Sequence, residues 1–493
     1  MKRIASGILP VIAVDRKSPK ALHQQIYDAY RAAIAAGSLR PGQRIPSTRL
    51  LATELGVSRV PVLNAYAQLL AEGYLESVVG AGTMISRLLP EQFTSTAPAG
   101  GKVVSDRVGP RPIARHIASL PVTQDTPWWR RHGAFGVGQV AFDQFPLQVW
   151  SKLVARHSRD MRTGSFHYGD PMGSAALREA IAGYLRTARS VRCEPEQVMI
   201  VAGSQQALEI SARVLFEPGC QVWTEEPGYP FGQGAFALAG CKLVPVRVDN
   251  EGLDVAAGIR RCRTARAAMV TPSHQFPLGV TMSASRRMQL LSWAHSNGAW
   301  ILEDDYDSEY RYESPPIPSL QGMDGNARVL YIGTFSKVLF PSLRLGYVVI
   351  PTDLVRHFVA TRIAVDLGSP TLYQEVLADF IRSGDFERHI RRMRILYRER
   401  RSMMVECIGK ELGSLAEIAG AEAGMHLTVI LSKGMNDVEI AQRAARQNLW
   451  IWPLSSTYRG EAMRPGLILG FGSTRTADIP RAVGKLRDLL VRK

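Results

Sequence analysis

The 493-residue chain has little cysteine: five residues (Cys193, Cys220, Cys241, Cys262, Cys407), odd in number and with no CxxC spacing. Such a set does not frame a disulfide scaffold, and scattered reduced thiols are the expectation. No metal-ligand spacing emerges, so no metal site is expected. There is no run of about 18 uncharged apolar residues and no leader ending in a small-residue cleavage site, which argues against a membrane span and against secretion. A cytoplasmic location follows as the expectation. Acidic residues are also in short supply, 44 against 60 Lys and Arg, which leaves a net charge of +16. A surplus of that sign invites a polyanionic partner. What remains, 46% hydrophobic and 21% charged, is the composition of a soluble globular protein long enough for two or three domains.

Residues 1–88 hold 11 Lys and Arg against 5 Asp and Glu, a local surplus of +6. Within them, Leu22, Ile26, Tyr30 and Ile34 recur at four-residue steps, a helical stripe ending near Gly37. After Pro41-Gly42-Gln43-Arg44, Ser47 is placed to cap a helix with Leu50, Leu51 and Leu55 inward. Gly56-Val57-Ser58 then turns the chain, and Ser58 is placed to cap a second helix with Val62, Ala65, Tyr66 and Leu69 inward. Two short helices about a glycine turn are the helix-turn-helix arrangement, with Arg59, Val60 and Asn64 presented toward a major groove. Pro61 falls in the first turn, where its missing N–H costs little. Tyr74-Leu75-Glu76 and Val78–Ile85 read as a hairpin with Gly80 and Gly82 at its tip, a wing.

Residues 87–127 lose periodicity and gain Pro, Gly, Ser and Thr, as in Thr94–Gly101 and Gly109-Pro110-Arg111-Pro112, and read as a flexible tether. From about residue 197, apolar runs alternate with helix-length segments. The expected strands are Gln197–Ala202, Gln221–Thr224, Leu243–Val248, Ala267–Thr271, Ala299–Glu303, Val329–Ile332 and Leu345–Ile350. Helices over Gln206–Leu215 and Ala284–Asn297 separate some of them. Runs without alternation are expected of strands buried on both faces of a mainly parallel sheet, an α/β architecture with functional residues at the strand ends.

Chemistry gathers at those ends. Gly203-Ser204-Gln205 opens a helix, where free N–H groups suit a phosphate. Glu303-Asp304-Asp305-Tyr306-Asp307-Ser308-Glu309 closes a buried run with carboxylates that repel one another unless a cation meets them. Thr334-Phe335-Ser336-Lys337 carries a lysine between hydroxyls, with Arg344 seven residues on. Such an amine loses proton affinity and can attack an aldehyde, and Thr334, Ser336 and Arg344 can bind phosphate.

Residues 18–86 resemble the GntR winged helix-turn-helix, on the Leu-Gly-Val-Ser-Arg, Leu-Leu-Ala-Glu-Gly-Tyr-Leu and Gly-x-Gly-Thr pieces. By that resemblance Arg49, Arg59 and the Gly82 tip contact DNA and Arg44 lies nearer the phosphates. Arg44, Arg49, Ser58, Arg59, Asn64 and Gly82 are thus the expected DNA-binding set. Residues 128–490 resemble the aspartate-aminotransferase fold, fold type I of the pyridoxal-phosphate enzymes, on Tyr168–Arg178, Gly203–Leu208, Glu225–Pro230, Glu303–Glu309 and Gly333–Tyr347. The resemblance implies pyridoxal 5'-phosphate held as a Schiff base by Lys337. It also implies that Tyr229 stacks on the ring, Asp304 meets the ring nitrogen and Tyr306 reaches the phenolic oxygen. Thr271-Pro272-Ser273-His274-Gln275 replaces the usual Asn-Pro-Thr-Gly turn, so His274 or Gln275 is expected to approach that oxygen instead.

Joined, the two parts look like the MocR/GabR family of bacterial regulators. That likeness implies a homodimer, head to tail, which senses the cofactor or an amine or amino acid attached to it. Two features depart from the patterns. Val60-Pro61 stand where small polar residues are usual, which leaves base preference open, apolar contact with a thymine methyl included. Leu467-Ile468-Leu469 is apolar where aminotransferases carry a carboxylate-clamping arginine, with only Arg459 and Arg464 nearby. Efficient turnover is therefore not expected, and a residual half-reaction is left open. The other readings are an aminotransferase with an autoregulatory DNA-binding head and a DNA-binding protein with a cofactor-free body.

Overall fold

In a computed structural model, which describes residues 12–78, 82–87, 112–114, 117, 133–312 and 317–491, the N-terminal stripe forms helix α1 (Leu22–Ala35). It buries Ile26, Tyr30 and Ile34 and leaves Leu22 half-buried. Helix α2 (Thr48–Glu54) starts where Ser47 Oγ accepts from the Leu50 N–H at 3.3 Å. Helix α3 (Arg59–Ala71) buries Val62, Ala65, Tyr66 and Leu69 as expected. Two expectations fail here. Ser58 stands at the N-cap of α3, yet its side chain accepts no helix N–H. Leu50 is 49% exposed, because Leu51 and Ala52 are the residues that α2 turns inward. Strands β1 (Leu75–Val78) and β2 (Gly82–Ile85) pair antiparallel with Leu75 opposite Ile85 and Val78 opposite Gly82. The Gly80 end of the wing and most of the tether lie outside the described residues.

The chain divides into two compact units, Met1–Pro112 and Ile113–Lys493. The second is built on a sheet of eight strands. Its members are β3 (Val198–Val201), β4 (Gln221–Glu226), β5 (Lys242–Asp249), β6 (Gly252–Leu253), β7 (Ala267–Val270), β8 (Trp300–Asp305), β9 (Val329–Thr334) and β10 (Gly346–Val349). Their order is β3-β10-β9-β8-β7-β4-β5-β6. From β9 to β5 all neighbours are parallel. Strand β10 runs against both β3 and β9, so β3 points the same way as β9. Every residue of β3, β7, β9 and β10 is buried. Helices cover both faces, which is why these strands show no polar alternation in sequence. The helix Ala284–Asn297 ends on Gly298, whose φ of +58° places it in the left-handed region.

A second, four-stranded antiparallel sheet is not marked in the sequence. It is formed by β11 (Ala416–Ala419), β12 (His426–Leu431), β13 (Trp452–Pro453) and β14 (Gly466–Gly470), in the order β11-β12-β14-β13. The 28-residue helix Asp385–Leu412 and the helix Ile479–Val491 pack against it, burying Met393, Tyr397, Met404 and Leu486 with Leu427 and Leu469.

In the head, the buried Tyr30 and Tyr66 hydroxyls lie 2.9 Å apart, and Tyr66 donates to the Pro46 carbonyl at 3.0 Å. These two contacts tie α1 and α3 to the loop that launches α2. Tyr66→Phe leaves the buried Tyr30 hydroxyl and the half-buried Pro46 carbonyl without this partner, and we expect the head to lose about 1–2 kcal/mol. Thermal unfolding of the protein followed in the head checks this, and an unchanged midpoint would refute it.

Candidate functional site

The head places its expected DNA-facing residues on its surface. Arg44, Arg49, Ser58, Arg59 and Asn64 are exposed and Gly82 is half-buried. Arg59 Nε donates to Thr48 Oγ1 at 3.1 Å, fastening the start of α3 to the start of α2. The Ile45 N–H donates to the Thr83 carbonyl at 3.0 Å, so the segment carrying Arg44 runs along the wing. The Arg44 guanidinium rests against Gly82, where an added Cβ would stand 3.1 Å from it, and the φ of +93° at Gly82 favours glycine a second time. Three apolar side chains stand among the polar ones: Leu50, Val60 and Leu63 are 49%, 61% and 42% exposed. Val60, Leu63 and Asn64 share one face of α3 by their spacing. Leu50 and Leu63 escape a sequence reading because leucine reads as core.

In the body, the parallel strands end at one edge of the sheet, and a cavity of about 190 Å³ opens there. Nine of the eleven expected cofactor-binding residues line it: Ser204, Gln205, Tyr229, Asp304, Tyr306, Thr334, Ser336, Lys337 and Arg344. At one end the helix Ser204–Leu215 begins on Gly203, whose φ is +111°. An added Cβ there would meet the Arg344 guanidinium at 3.2 Å, so glycine lets this cation lie against the helix start. Thr334 Oγ1 donates to Ser336 Oγ at 3.1 Å beside it. Free helix N–H groups, hydroxyls and a guanidinium make this the anion end.

The carboxylates of β8 are sorted by strand alternation. Glu303 accepts the Leu320 and Gln321 N–H groups at 2.9 and 3.0 Å. Asp305, on the same face, accepts from Arg189 Nε and Ser308 Oγ, each at 2.8 Å, and from the Tyr331 hydroxyl. Asp304 points the other way, into the cavity, and its Oδ1 has no partner. Burial, then repulsion from Asp305 and Glu225, pushes its pKa up to about 7, against the pull of Lys337. Beyond the strand, Asp307 Oδ2 pairs with His274 Nδ1 at 3.2 Å and accepts the Met425 N–H at 3.2 Å. Lys337 Nζ donates to the Gly138 carbonyl at 3.2 Å. Burial lowers its pKa, partly offset by Asp307 and Asp304. A side chain on Gly138 would strike Nζ at 2.3 Å.

His274 and Gln275 do not line the cavity; Thr271 and Phe276 form its wall at this turn. The Gln275 carboxamide is spent on the turn itself, donating to the Pro227 carbonyl at 2.9 Å and accepting the Leu278 N–H at 3.0 Å. His274 stands behind Tyr306, whose hydroxyl donates to the His274 carbonyl at 2.9 Å and lies 3.1 Å from Nδ1. His274, Asp307 and His426 are buried together with donor atoms within 4.8 Å. Spacing could not reveal that grouping because three distant segments supply it. Val137, Gly138, His426 and Trp452 also line the cavity without being expected from sequence. The first two lie just past the tether and the others on the second sheet, where no motif marks them. Arg459 and Arg464 are exposed and do not line it.

Comparison with known proteins gives two family matches: residues 22–85 with the bacterial regulatory proteins of the gntR family, and residues 134–464 with aminotransferase class I and II. The chain is 38% identical over 483 residues to the probable rhizopine catabolism regulatory protein MocR of Rhizobium meliloti, covering 97% of this chain and 95% of that one. It is 31% identical to the pyridoxine biosynthesis transcriptional regulator PdxR of Corynebacterium glutamicum, over 94% of each chain. Among solved structures, it is similar to LysN, an α-aminoadipate aminotransferase of Thermus thermophilus complexed with N-(5'-phosphopyridoxyl)-L-leucine. That likeness has a TM-score of 0.67 and 28% identity over 72% of this chain and 91% of that one. The cavity fits pyridoxal phosphate on its own geometry, with an anion end, an unpartnered buried carboxylate oxygen and an amine of lowered basicity. The chain belongs to the MocR/GabR family of bacterial transcriptional regulators, in which a GntR winged helix-turn-helix is joined to an aminotransferase-like body with pyridoxal phosphate as its cofactor.

Proposed function

We propose that this regulator changes its affinity for operator DNA when pyridoxal phosphate, or an amine or amino acid attached to it, occupies the Lys337 site. The observation that carries this reading is Asp304, a buried carboxylate with a free oxygen in a cavity that also holds a lysine of lowered basicity. Bound pyridoxal phosphate would supply an aldehyde for a primary amine and a cationic ring that withdraws electrons. Lys337 would hold it, Asp304 would keep the ring nitrogen protonated, and Tyr229 would pack on the ring. Ser204, Thr334, Ser336 and Arg344 would bind its phosphate, with Gln205 beside them. Tyr306 would meet the phenolic oxygen, with His274 and Gln275 supporting the turn behind. Lys337 serves here as attachment point, with no physiological turnover.

In the same reading residues 18–86 bind double-stranded DNA, 87–127 tether them, and 128–490 sense. The working unit is a head-to-tail homodimer in the cytoplasm. No helix among the described residues is long and apolar enough to cross a membrane. A ligand can shift such a system only through unequal affinity for two states.

Three outcomes are expected. Arg49→Ala and Arg59→Ala should each weaken binding to the gene's own upstream region about tenfold, roughly the value of one good contact; gel-shift titration measures this, and unchanged affinity in both would remove α2 and α3 from the interface. Lys337→Ala should lose the visible absorbance of the protein loaded with pyridoxal phosphate, and its footprint should no longer respond to the cofactor or to amines. A wild-type footprint indifferent to all of them would sink the sensing claim.

The third concerns Asp304. Its folded pKa of about 7 lies above that of an unfolded carboxylate near 4. A raised value adds stability that is complete below pH about 4 and lost as pH rises through about 7. Cofactor-free Asp304→Asn should therefore exceed wild type in stability at pH 8, by roughly 1–3 kcal/mol, while binding pyridoxal phosphate more weakly. Denaturant unfolding at pH 5 and pH 8 measures it, and equal pH dependence in the two proteins would contradict an uncompensated Asp304.

A further inference from the structure

The two ends of the cavity differ in chemistry. Of the described residues that line it, only Lys337, Arg344 and His426 are of a basic type. Arg344 lies against Gly203 at the anion end. Lys337 is the attachment point, and His426 is buried with Nε2 3.2 Å from the Pro277 carbonyl, its pKa held below the ordinary value by burial and by His274 and Lys337. Around the Gly138 side of Lys337 the wall is apolar. Val137 and Phe276 belong to one buried cluster with Leu454 and Ile468, and Tyr229, Tyr306 and Trp452 pack against it. Phe276 and Trp452 stand 5.5 Å apart, and Phe231 lies 5.9 Å from Trp452, an aromatic corner at the cavity rim. Ile468 sits in the middle of β14 and is fully buried, so the strand that borders this cluster brings no charge to it. A carboxylate entering here would be stripped of water with no described cation to meet it.

We propose that the ligand sensed at this site is a primary amine without a carboxylate, carrying an aromatic or bulky apolar group that packs among Val137, Phe276 and Trp452. The proposal rests on the reading that pyridoxal phosphate occupies the Lys337 site, and it narrows that reading to a ligand class. The amine nitrogen would replace Lys337 Nζ at the cofactor carbon, Lys337 leaving as a free amine whose basicity burial lowers. No oxidation or reduction accompanies the exchange. The apolar group then lies against the aromatic corner, while an amino acid with the same side chain would bring its carboxylate to the same wall.

Full-length protein loaded with pyridoxal phosphate tests this by titration with 2-phenylethylamine and with phenylalanine, which differ by the carboxylate alone. The cofactor absorbance and the DNA footprint are read together. The amine should perturb both at concentrations about 100-fold lower than the amino acid, the penalty expected for a buried charge without a partner. Trp452→Arg, at a half-buried rim position, should narrow the gap to less than about tenfold by providing a cation. Phenylalanine or 4-aminobutyrate acting as strongly as 2-phenylethylamine would overturn the proposal, whatever the variant does. So would a wild type that binds the cofactor and responds to it in footprinting while ignoring every amine, an outcome that leaves the sensing reading intact. Failure to bind pyridoxal phosphate at all would instead strike the underlying reading.

Discussion

Burying the acidic end of β8 is the constraint on which the body's site depends. Glu303, Asp304, Asp305, Asp307 and Glu309 fall within seven residues, and burial, reinforced by repulsion from Asp305, pushes Glu303, Asp304 and Glu309 each up to about 7. Such a cluster survives in a low-dielectric interior only if its members are separated and paired. Strand alternation does the separating. Pairing follows from fixed donors: two backbone N–H groups for Glu303, the Arg189 guanidinium for Asp305, His274 and the Met425 N–H for Asp307, and the Tyr184 hydroxyl for Glu309. Asp305 and Asp307 each leave Oδ1 without a partner but are bonded through Oδ2. Asp304 has no such second anchor among the described residues, and its unpartnered oxygen belongs to the cavity that holds Lys337. In the proposed reading a protonated ring nitrogen would answer that oxygen more completely than water can, because it would bring a charge as well as a donor.

The head obeys a different constraint, the seating of short helices that could not persist alone. Helix α2 has only seven residues. It holds its place through the Ser47 cap, the Tyr66 contact to Pro46 and the Arg59 contact to Thr48. These bonds leave cations at the rim and three apolar side chains among them. A surface of that composition suits the proposed contact with DNA, with cations for backbone phosphates and apolar groups for thymine methyls.

Much of this is legible in sequence, for identifiable reasons. The seven expected strands of the large sheet all exist, with ends moved by no more than two residues, since continuous apolar runs between turn residues have few other uses. The cavity-lining residues that can be read lie where local spacing is the signal, as in Ser336-Lys337 with Arg344, or Asp304 with Tyr306. What is not legible depends on contacts between distant segments. Gly138 reaches Lys337 from 199 positions away, through a hydrogen bond that no motif encodes. His274 and Gln275 read as cavity residues because their turn replaces a known one, but the Gln275 carboxamide is consumed by Pro227 and Leu278. Leu50 and Ser58 mislead for a local reason: a short helix has room for few inward positions, and a cap position does not oblige its side chain to bond.

The placement of His274 changes what its turn does. Instead of offering a donor to the cavity, it backs Tyr306 with its carbonyl at 2.9 Å and with Nδ1 at 3.1 Å, and the same Nδ1 lies 3.2 Å from Asp307 Oδ2. Asp307 in turn holds the Met425 N–H one residue before β12. The phenol at the cavity wall thus lies against a buried His274–Asp307 pair anchored at the start of β12, an inner strand of the second sheet. That sheet and the residue before it also supply Met425, His426 and Trp452 to the cavity. Asp304 at the end of β8 and Tyr306 beside it therefore share one cavity with side chains carried by the second sheet. Charge and packing at one small site reach the strands that border it, which is the physical requirement for any ligand that is to favour one conformation over another.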